Sequence, residues 1–395
     1  MIFTHALVLV LGAFVALAVL GSALKTVVLP RQGFPRLSQF VFALVHRLLV
    51  HPRRNDRLAN SLRGLYAPVA LVSLPLVWMI LMMLAFTGIY LGSGSHDLSW
   101  SRAFEISVSS VTTMGFAEPN GTGRIWIAFV EAIIGLGLVA LLISYLPTIY
   151  SAYNDRDKGT NRLRPIAGQP PSATEFLQSL QRLGSLESPE LWRNSADWML
   201  DLEQTHTAFP ILSYFPESDP AQSWVATMGS LLDASALVFA VSDRDAFDVF
   251  ADAEKGPLTV LVYGLPLIVR IAQAVNIPLP PPTRLPELMA QSNQPAPTVS
   301  VSRDEYDVAL AALSGILAVD PGREEQAWRR FAWIRSAYEP ALRALAGVTM
   351  ASPAPWTTDR PGVVGRPRFW RHRALRVDWS QQPPIPVANA TPTGG

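Results

Sequence analysis

The 395-residue sequence has no cysteine, so no disulfide can staple it and no thiolate can ligate a metal. Charge is scarce as well. Asp, Glu, Lys and Arg make up 16% of the chain against 49% hydrophobic residues, and the mean hydropathy is +0.23. That balance points to membrane segments joined to a globular part. There is no Gly-x-x-x-x-Gly-Lys-Ser/Thr loop and no Gly-x-Gly-x-x-Gly after a strand, which excludes the familiar phosphate-cradling turns. No apolar run carries regularly spaced arginines, which argues against a steep voltage sensor.

What the chain does have is long apolar runs. Ile2 to Leu24 is long enough, at ~1.5 Å per residue, to cross a ~30 Å hydrocarbon core. A cleaved signal peptide is the alternative, but no basic residue precedes the run and the positive charges follow it. Tyr66 to Leu91 is a second span, kinked at Pro75, and Ile125 to Tyr150 is a third. Trp126 stands near one end of the third, with Tyr145, Tyr150 and Tyr153 near the other, as in interfacial aromatic belts.

The net charge of +1 conceals an uneven distribution. Lys25, Arg31, Arg36, Arg47, Arg53, Arg54, Arg57 and Arg63 follow the first span, opposed by Asp56. Arg156, Lys158, Arg162 and Arg164 follow the third, against Asp155 and Asp157. Between spans two and three lie Arg102 and Arg124 with Asp97, Glu105 and Glu118. The positive-inside rule then gives three crossings of the cell inner (plasma) membrane, the N-terminus outside and the C-terminal part cytoplasmic. Leu37, Phe40, Val41, Leu44 and Leu48 recur at helical spacing within the first basic stretch. They describe a helix lying in the membrane interface or one packed on the cytoplasmic part.

The 33 prolines fall mainly beyond residue 165. Arg164 to Pro171 and Pro278 to Pro297 read as linkers. Apolar spacing predicts helices at Glu175–Leu186, Glu190–Glu203, Ala221–Val241, Ala246–Ala253, Leu258–Val275, Asp304–Leu317 and Arg323–Ala346. The third and fifth of these are very apolar, yet short and interrupted by Asp233 and Arg270, and read as core helices of a soluble domain. The layout is thus an outer span at 1–24, a basic connection at 25–65, a paired-span unit at 66–153 and a linker at 154–172. A helical domain at 173–350 and a Pro/Arg-rich, largely disordered tail at 351–395 complete it. Arg366 to Arg376, with Phe369 and Trp370, is either a contact for anionic lipid or nucleic acid or a solvated tail. The solvated reading is preferred, and no nucleic-acid partner is expected.

Between spans two and three the chain is too short to cross the membrane twice as helix. Ser101 to Val111 reads as a short helix, capped by Asp97, Ser99 or Ser101. It leads into Thr112-Thr113-Met114-Gly115-Phe116-Ala117-Glu118-Pro119. A half-depth helix returning as extended chain fits the length, and irregular backbone at such depth needs protein or water against it. The helix would aim its partly negative C-terminal end inward, which favours a cation. Glu131, two turns into the third span, either lies behind this loop or faces the pore, or else sits near the outer end and reaches interfacial water or a polar partner. Glu203 and His206 have the spacing of a metal-binding Glu-x-x-His, but no second pair occurs, and a surface or locally hydrogen-bonded pair is the plainer reading.

The order short helix, Thr-Thr-Met-Gly-Phe-Ala-Glu, then Gly123-Arg124 and an apolar helix with Gly135 and Gly137 resembles the two-span, pore-loop potassium channel superfamily. The resemblance covers Tyr66 to Tyr153. It implies an all-α membrane protein with a re-entrant pore helix, and a homotetramer passing a monovalent cation, K+ by preference, along backbone carbonyls. It implies a filter of Thr113, Met114, Gly115, Phe116 and Ala117 and a pore mouth at Glu118. Ser109 and Thr112 would stand behind the filter, and Gly135 or Gly137 would be a hinge of the inner helix. No catalytic residue or cofactor is implied, so the expected protein is not an enzyme. Its partners are its own copies, membrane lipid and an unidentified ligand of the cytoplasmic domain. Ala117 departs from the family, which has a glycine there in left-handed conformation, at a cost of roughly 1–2 kcal/mol for an L-residue. Phe116 lacks the hydroxyl of the family's tyrosine. A non-conducting membrane sensor or scaffold with a decayed filter is the alternative. An uptake subunit with four loops per chain ranks last, since one loop occurs here.

Overall fold

The computed structural model describes residues 2–27, 35–49, 57–93, 98–186, 188–215, 223–242, 256–317, 319–349 and 351–360, and regular structure among them is helical throughout. The first five helices are α1 (Ile2–Val27), α2 (Arg36–Leu49), α3 (Arg57–Gly92), α4 (Trp100–Val111) and α5 (Thr122–Ala167). They enclose one apolar core, built from Trp78, Met82, Phe86, Tyr90, Ile106, Leu138 and Ile149 among others. Small residues let α1 approach α3 closely: a Cβ on Gly12 would lie 2.6 Å from the Ala85 carbonyl oxygen, and one on Gly92 2.5 Å from Leu9 Cβ. A hydrogen bond of 3.0 Å between His5 Nδ1 and the Leu91 carbonyl oxygen fixes the register at one end. At the other, Thr26 and Ser38 hydroxyls meet at 3.0 Å and tie α1 to α2.

The remaining helices are α6 (Ala173–Arg182), α7 (Pro189–Ala208), α8 (Trp224–Val241), α9 (Pro257–Ala274), α10 (Leu285–Gln291), α11 (Arg303–Ala312) and α12 (Glu324–Thr349). Serines cap several of them as side-chain acceptors: Ser172 from the Glu175 amide, Ser223 from Ala226 and Ser302 from Glu305. Their common core holds Phe176, Trp192, Trp224, Tyr306, Phe331 and Tyr338. It also buries an ionic cluster in which Arg335 binds Asp233, Glu339 and the Trp356 carbonyl. Glu339 in turn accepts the Ser300 amide at 2.9 and 3.0 Å. The two carboxylates there are matched by two guanidiniums, Arg335 and Arg343, the latter 3.6 Å from Glu339, and such pairing is the condition for keeping ions in a core.

Five helices, α1, α3, α5, α8 and α9, are long and apolar enough to cross a membrane, the mark of a multi-pass membrane protein. They differ in what covers them. The apolar window of α8 is 89% buried by its neighbours and that of α9 61%, against 28%, 44% and 17% for α1, α3 and α5.

The two cores are stitched together by a 3-10 turn at Pro210–Tyr214. It follows α7, yet Ile211, Leu212 and Phe215 belong to the first core. Phe209 stacks edge-on against Tyr145 at 5.9 Å, and Phe215 lies 5.6 Å from Tyr153. Arg156 of α5, buried, donates to the Leu212 and Phe215 carbonyls at 3.1 and 3.3 Å.

The structure departs from the sequence reading in four places. Residues 154–172 are not a linker up to Ala167: α5 runs on unbroken through Pro147 and Pro165, because its lower part packs Leu163 and Ala167 into the second core. Pro278–Pro297 contains α10, held by Leu285, Leu288 and Met289. The helix that carries span two begins before Tyr66, at Arg57, although its membrane-crossing part, Val69–Gly92, matches the expected span. The tail is ordered over 351–360, where Thr357 is buried and Arg360 pairs with Glu305 at 2.5 Å. The expected helix Ala246–Ala253, the basic segment Arg366–Arg376 and Asp97 lie outside the described residues.

Candidate functional site

The site is assembled on α4. Ser99 is its N-cap, accepting the Arg102 amide at 3.3 Å, and Trp100 stacks on Phe104 with ring centroids 5.3 Å apart. Ala103, Ile106, Ser107, Ser109 and Val111 form its buried face. This face lies between α3 and α5, and Gly135 decides how close α5 comes: a Cβ there would fall 2.3 Å from the Val111 carbonyl oxygen. Gly135 is therefore a point of contact with the end of α4, in an unbroken helix. Gly137 has nothing within 4 Å of its Cβ position.

Behind α4 sits Glu131, fully buried. Its carboxyl group is contacted by the Tyr90 hydroxyl at 2.9 Å and by the Ser107 hydroxyl, so that one side chain joins α3, α4 and α5. Of the sequence readings of Glu131, the polar partner is found, and the side chain is buried behind α4 instead of reaching outer water. Its partners were missed in the sequence. A lone acid in an apolar span calls for a polar group at matching depth on a neighbouring helix, and Tyr90 on span two was the available signal.

The loop is fastened to α4 through Ser109. The Ser109 carbonyl accepts the amides of Met114 at 3.0 Å and Gly115 at 3.5 Å, and its hydroxyl accepts the Ala117 amide at 3.0 Å. Ser109 thus lies behind the loop. Thr112 does not brace it: this residue is the C-cap of α4 and its hydroxyl turns back to the Val108 carbonyl. Left-handed backbone falls at Thr113 (φ 57°) and Gly115 (φ 70°). The expectation that Ala117 would carry that strain is corrected: Ala117 is buried, and the unfavourable angle is taken by the β-branched Thr113.

Thr113, Met114, Gly115 and Phe116 are all exposed, Met114 by 72% and Phe116 by 59%. Among the described residues, none donates a hydrogen bond to the carbonyls of Thr113, Met114, Gly115, Phe116 or Ala117. Glu118 is exposed, and its carbonyl, not its carboxylate, receives Arg102 at 3.4 Å. The result is a run of unpaired oxygens at the C-terminal end of a helix, where the macrodipole is negative. Such a surface suits a cation.

The structure separates Glu203 from His206. Glu203 pairs with Arg270 at 2.6 Å, while His206 is buried with its ring 4.7 Å from that of Trp224. Its Nδ1 meets the Leu202 carbonyl at 2.9 Å. Burial, reinforced by the Arg156 guanidinium, pushes the His206 pKa down to about 3. The two residues thus make separate contacts and are not hydrogen-bonded to each other.

These features define an all-helical membrane protein with a short helix and an irregular loop set between two long apolar helices. Compared with protein-family models, with curated proteins and with solved structures, the chain matches none.

Proposed function

We propose that this chain is one subunit of a homotetrameric cation channel of the pore-loop potassium channel type. In this reading α1, α3 and α5 cross the inner membrane, with the N-terminus outside. The helix α4 enters from the outer face as a re-entrant pore helix, and α6 to α12 form a cytoplasmic domain that gates the pore on binding a ligand. Thr113, Met114, Gly115, Phe116 and Ala117 line the common axis, and Glu118 stands at its mouth. A hydrated monovalent cation, K+ by preference, exchanges water for carbonyl oxygen there.

The observation that carries the reading is the run of carbonyls from Thr113 to Ala117 that receive no hydrogen bond, on a loop otherwise tied down by Ser109. Polar backbone at membrane depth must face protein, water or ions, and a four-fold axis supplies such a path. The differing cover of the five apolar helices supports three crossings, with α8 and α9 in the soluble core. Reconstitution into planar bilayers tests the proposal, with cation current and four copies per particle by native mass spectrometry as the expected result. A monomer, or no current at any voltage, pH or salt, overturns it.

One observation favours a second reading, a non-conducting sensor or scaffold. Ala117 is buried against α4 instead of standing in the family's left-handed position, so the outer end of the loop is folded back. Ala117→Gly separates the two readings: current in the variant alone supports a decayed pore, and current in the parent excludes it.

A further inference from the structure

The contacts around Glu131 contain a proton count. Three hydroxyl or carboxyl contacts meet there: Tyr90 Oη with Glu131 Oε2, Ser107 Oγ with Glu131 Oε1, and Ser107 Oγ with the Met83 carbonyl at 2.9 Å. Each needs a hydrogen. Tyr90 and Ser107 bring one each, because a hydroxyl has a single proton to donate. With Glu131 ionised, one of the three contacts is oxygen against oxygen with nothing between.

We infer that Glu131 is a neutral carboxylic acid that donates its own proton to Ser107, acting as a positioning residue for α4. The chain of bonds is then complete. Tyr90 donates to one carboxyl oxygen, the other carboxyl oxygen donates to Ser107, and Ser107 donates to the Met83 carbonyl on α3. Absence of a counter-charge points the same way. Among the described residues no Lys, Arg or His forms an ion pair with Glu131, although it is fully buried. A buried carboxylate without a cation costs several kcal/mol, whereas a hydrogen-bonded neutral acid avoids that cost.

The arrangement places one acid proton at the junction of three helices. Through Ser107 it holds the buried face of α4, and two residues further along that helix Ser109 holds the loop. The inference concerns the protonation of Glu131 and stands apart from whether the loop conducts.

Infrared spectroscopy of the full-length protein in nanodiscs at neutral pH tests it. The difference spectrum of the parent against Glu131→Gln is expected to show the carbonyl stretch of a protonated carboxylic acid, lost in the variant. A contribution from Asp233, buried in the soluble core, is common to both and cancels. Tyr90→Phe, which removes the hydrogen bond to the carboxyl oxygen, is expected to shift the same band to higher frequency. Thermal unfolding gives a second readout: Glu131→Gln, whose amide donates to Ser107 and accepts from Tyr90, keeps the parent midpoint, and Glu131→Ala lowers it. A parent spectrum with no acid band sensitive to either Glu131→Gln or Tyr90→Phe overturns the inference. So does a Gln variant as unstable as the Ala variant.

Discussion

Gly159 meets the indole of Trp198 so closely that a Cβ at position 159 would fall 2.0 Å from Trp198 Cδ1. This contact joins the lower part of α5 to α7 and hence the helices of the first core to the second. Gly159→Ala is expected to force the two helices apart, lowering stability by about 1–3 kcal/mol as overpacking does. Thermal unfolding in detergent checks it. Trp198→Leu in the same background is expected to recover part of the loss, because it removes the ring that the new methyl strikes.

A second pair of glycines offers an internal control. Gly135→Ala sets a methyl against the Val111 carbonyl, backbone that cannot swing away, whereas Gly137→Ala enters open space. The first is expected to reduce expression and, on the proposed channel reading, to abolish conduction, and the second to leave both at the parent level. Equal behaviour of the two in flux assays on proteoliposomes would remove the case for α4 resting on Gly135.

Ser109→Ala takes away the acceptor of the Ala117 amide, and Ala117 is buried. An unsatisfied buried donor costs about 1–3 kcal/mol, and here the cost falls on the loop alone. Hydrogen exchange at Ala117 and its neighbours is expected to accelerate by one to two orders of magnitude, with exchange in α12 unchanged.

His206 gives a pH dependence with a definite sign. Its pKa lies at about 3 in the folded protein, lowered by burial and by Arg156, against roughly 6.5 in an unfolded chain. Between these values the unfolded chain takes up a proton that the folded one refuses. The contribution to stability is therefore complete above pH 6.5 and is lost as pH falls through the window, at up to roughly 1.4 kcal/mol per pH unit. Denaturation midpoints at pH 7 and pH 5 should diverge more in the parent than in His206→Phe.

The elements with strong local signals were legible in the sequence. Hydropathy and length locate α1, α3 and α5, Ser99 is one of three named caps for α4, and the helices that contain Asp233 and Arg270 fall where apolar spacing puts them. What escaped depends on contacts across the chain. The lower part of α5 is charged and holds Pro165, so it reads as linker, and its packing of Leu163 and Ala167 into the second core, with Trp198 and the 3-10 turn, explains why it stays helical. The segment around Trp356 is Pro-rich and reads as tail, but Arg335 binds its carbonyl from a buried position no periodicity could announce. At the loop, the sequence located a short irregular segment between two apolar helices. It did not show that Thr113, and not Ala117, would adopt the left-handed angle, which is set by how Ser109 gathers three amides.

The turn at Pro210–Tyr214 has a consequence for how the protein can be dissected. In sequence it belongs with the helices of the second core, and in space it closes the floor of the first, with Ile211 and Leu212 inaccessible to solvent. Cutting the chain after Ala167 would leave the upper fragment without its floor and the lower one with a bare apolar lip. The two halves interlock, and neither is a self-sufficient piece to be expressed, crystallised or grafted alone.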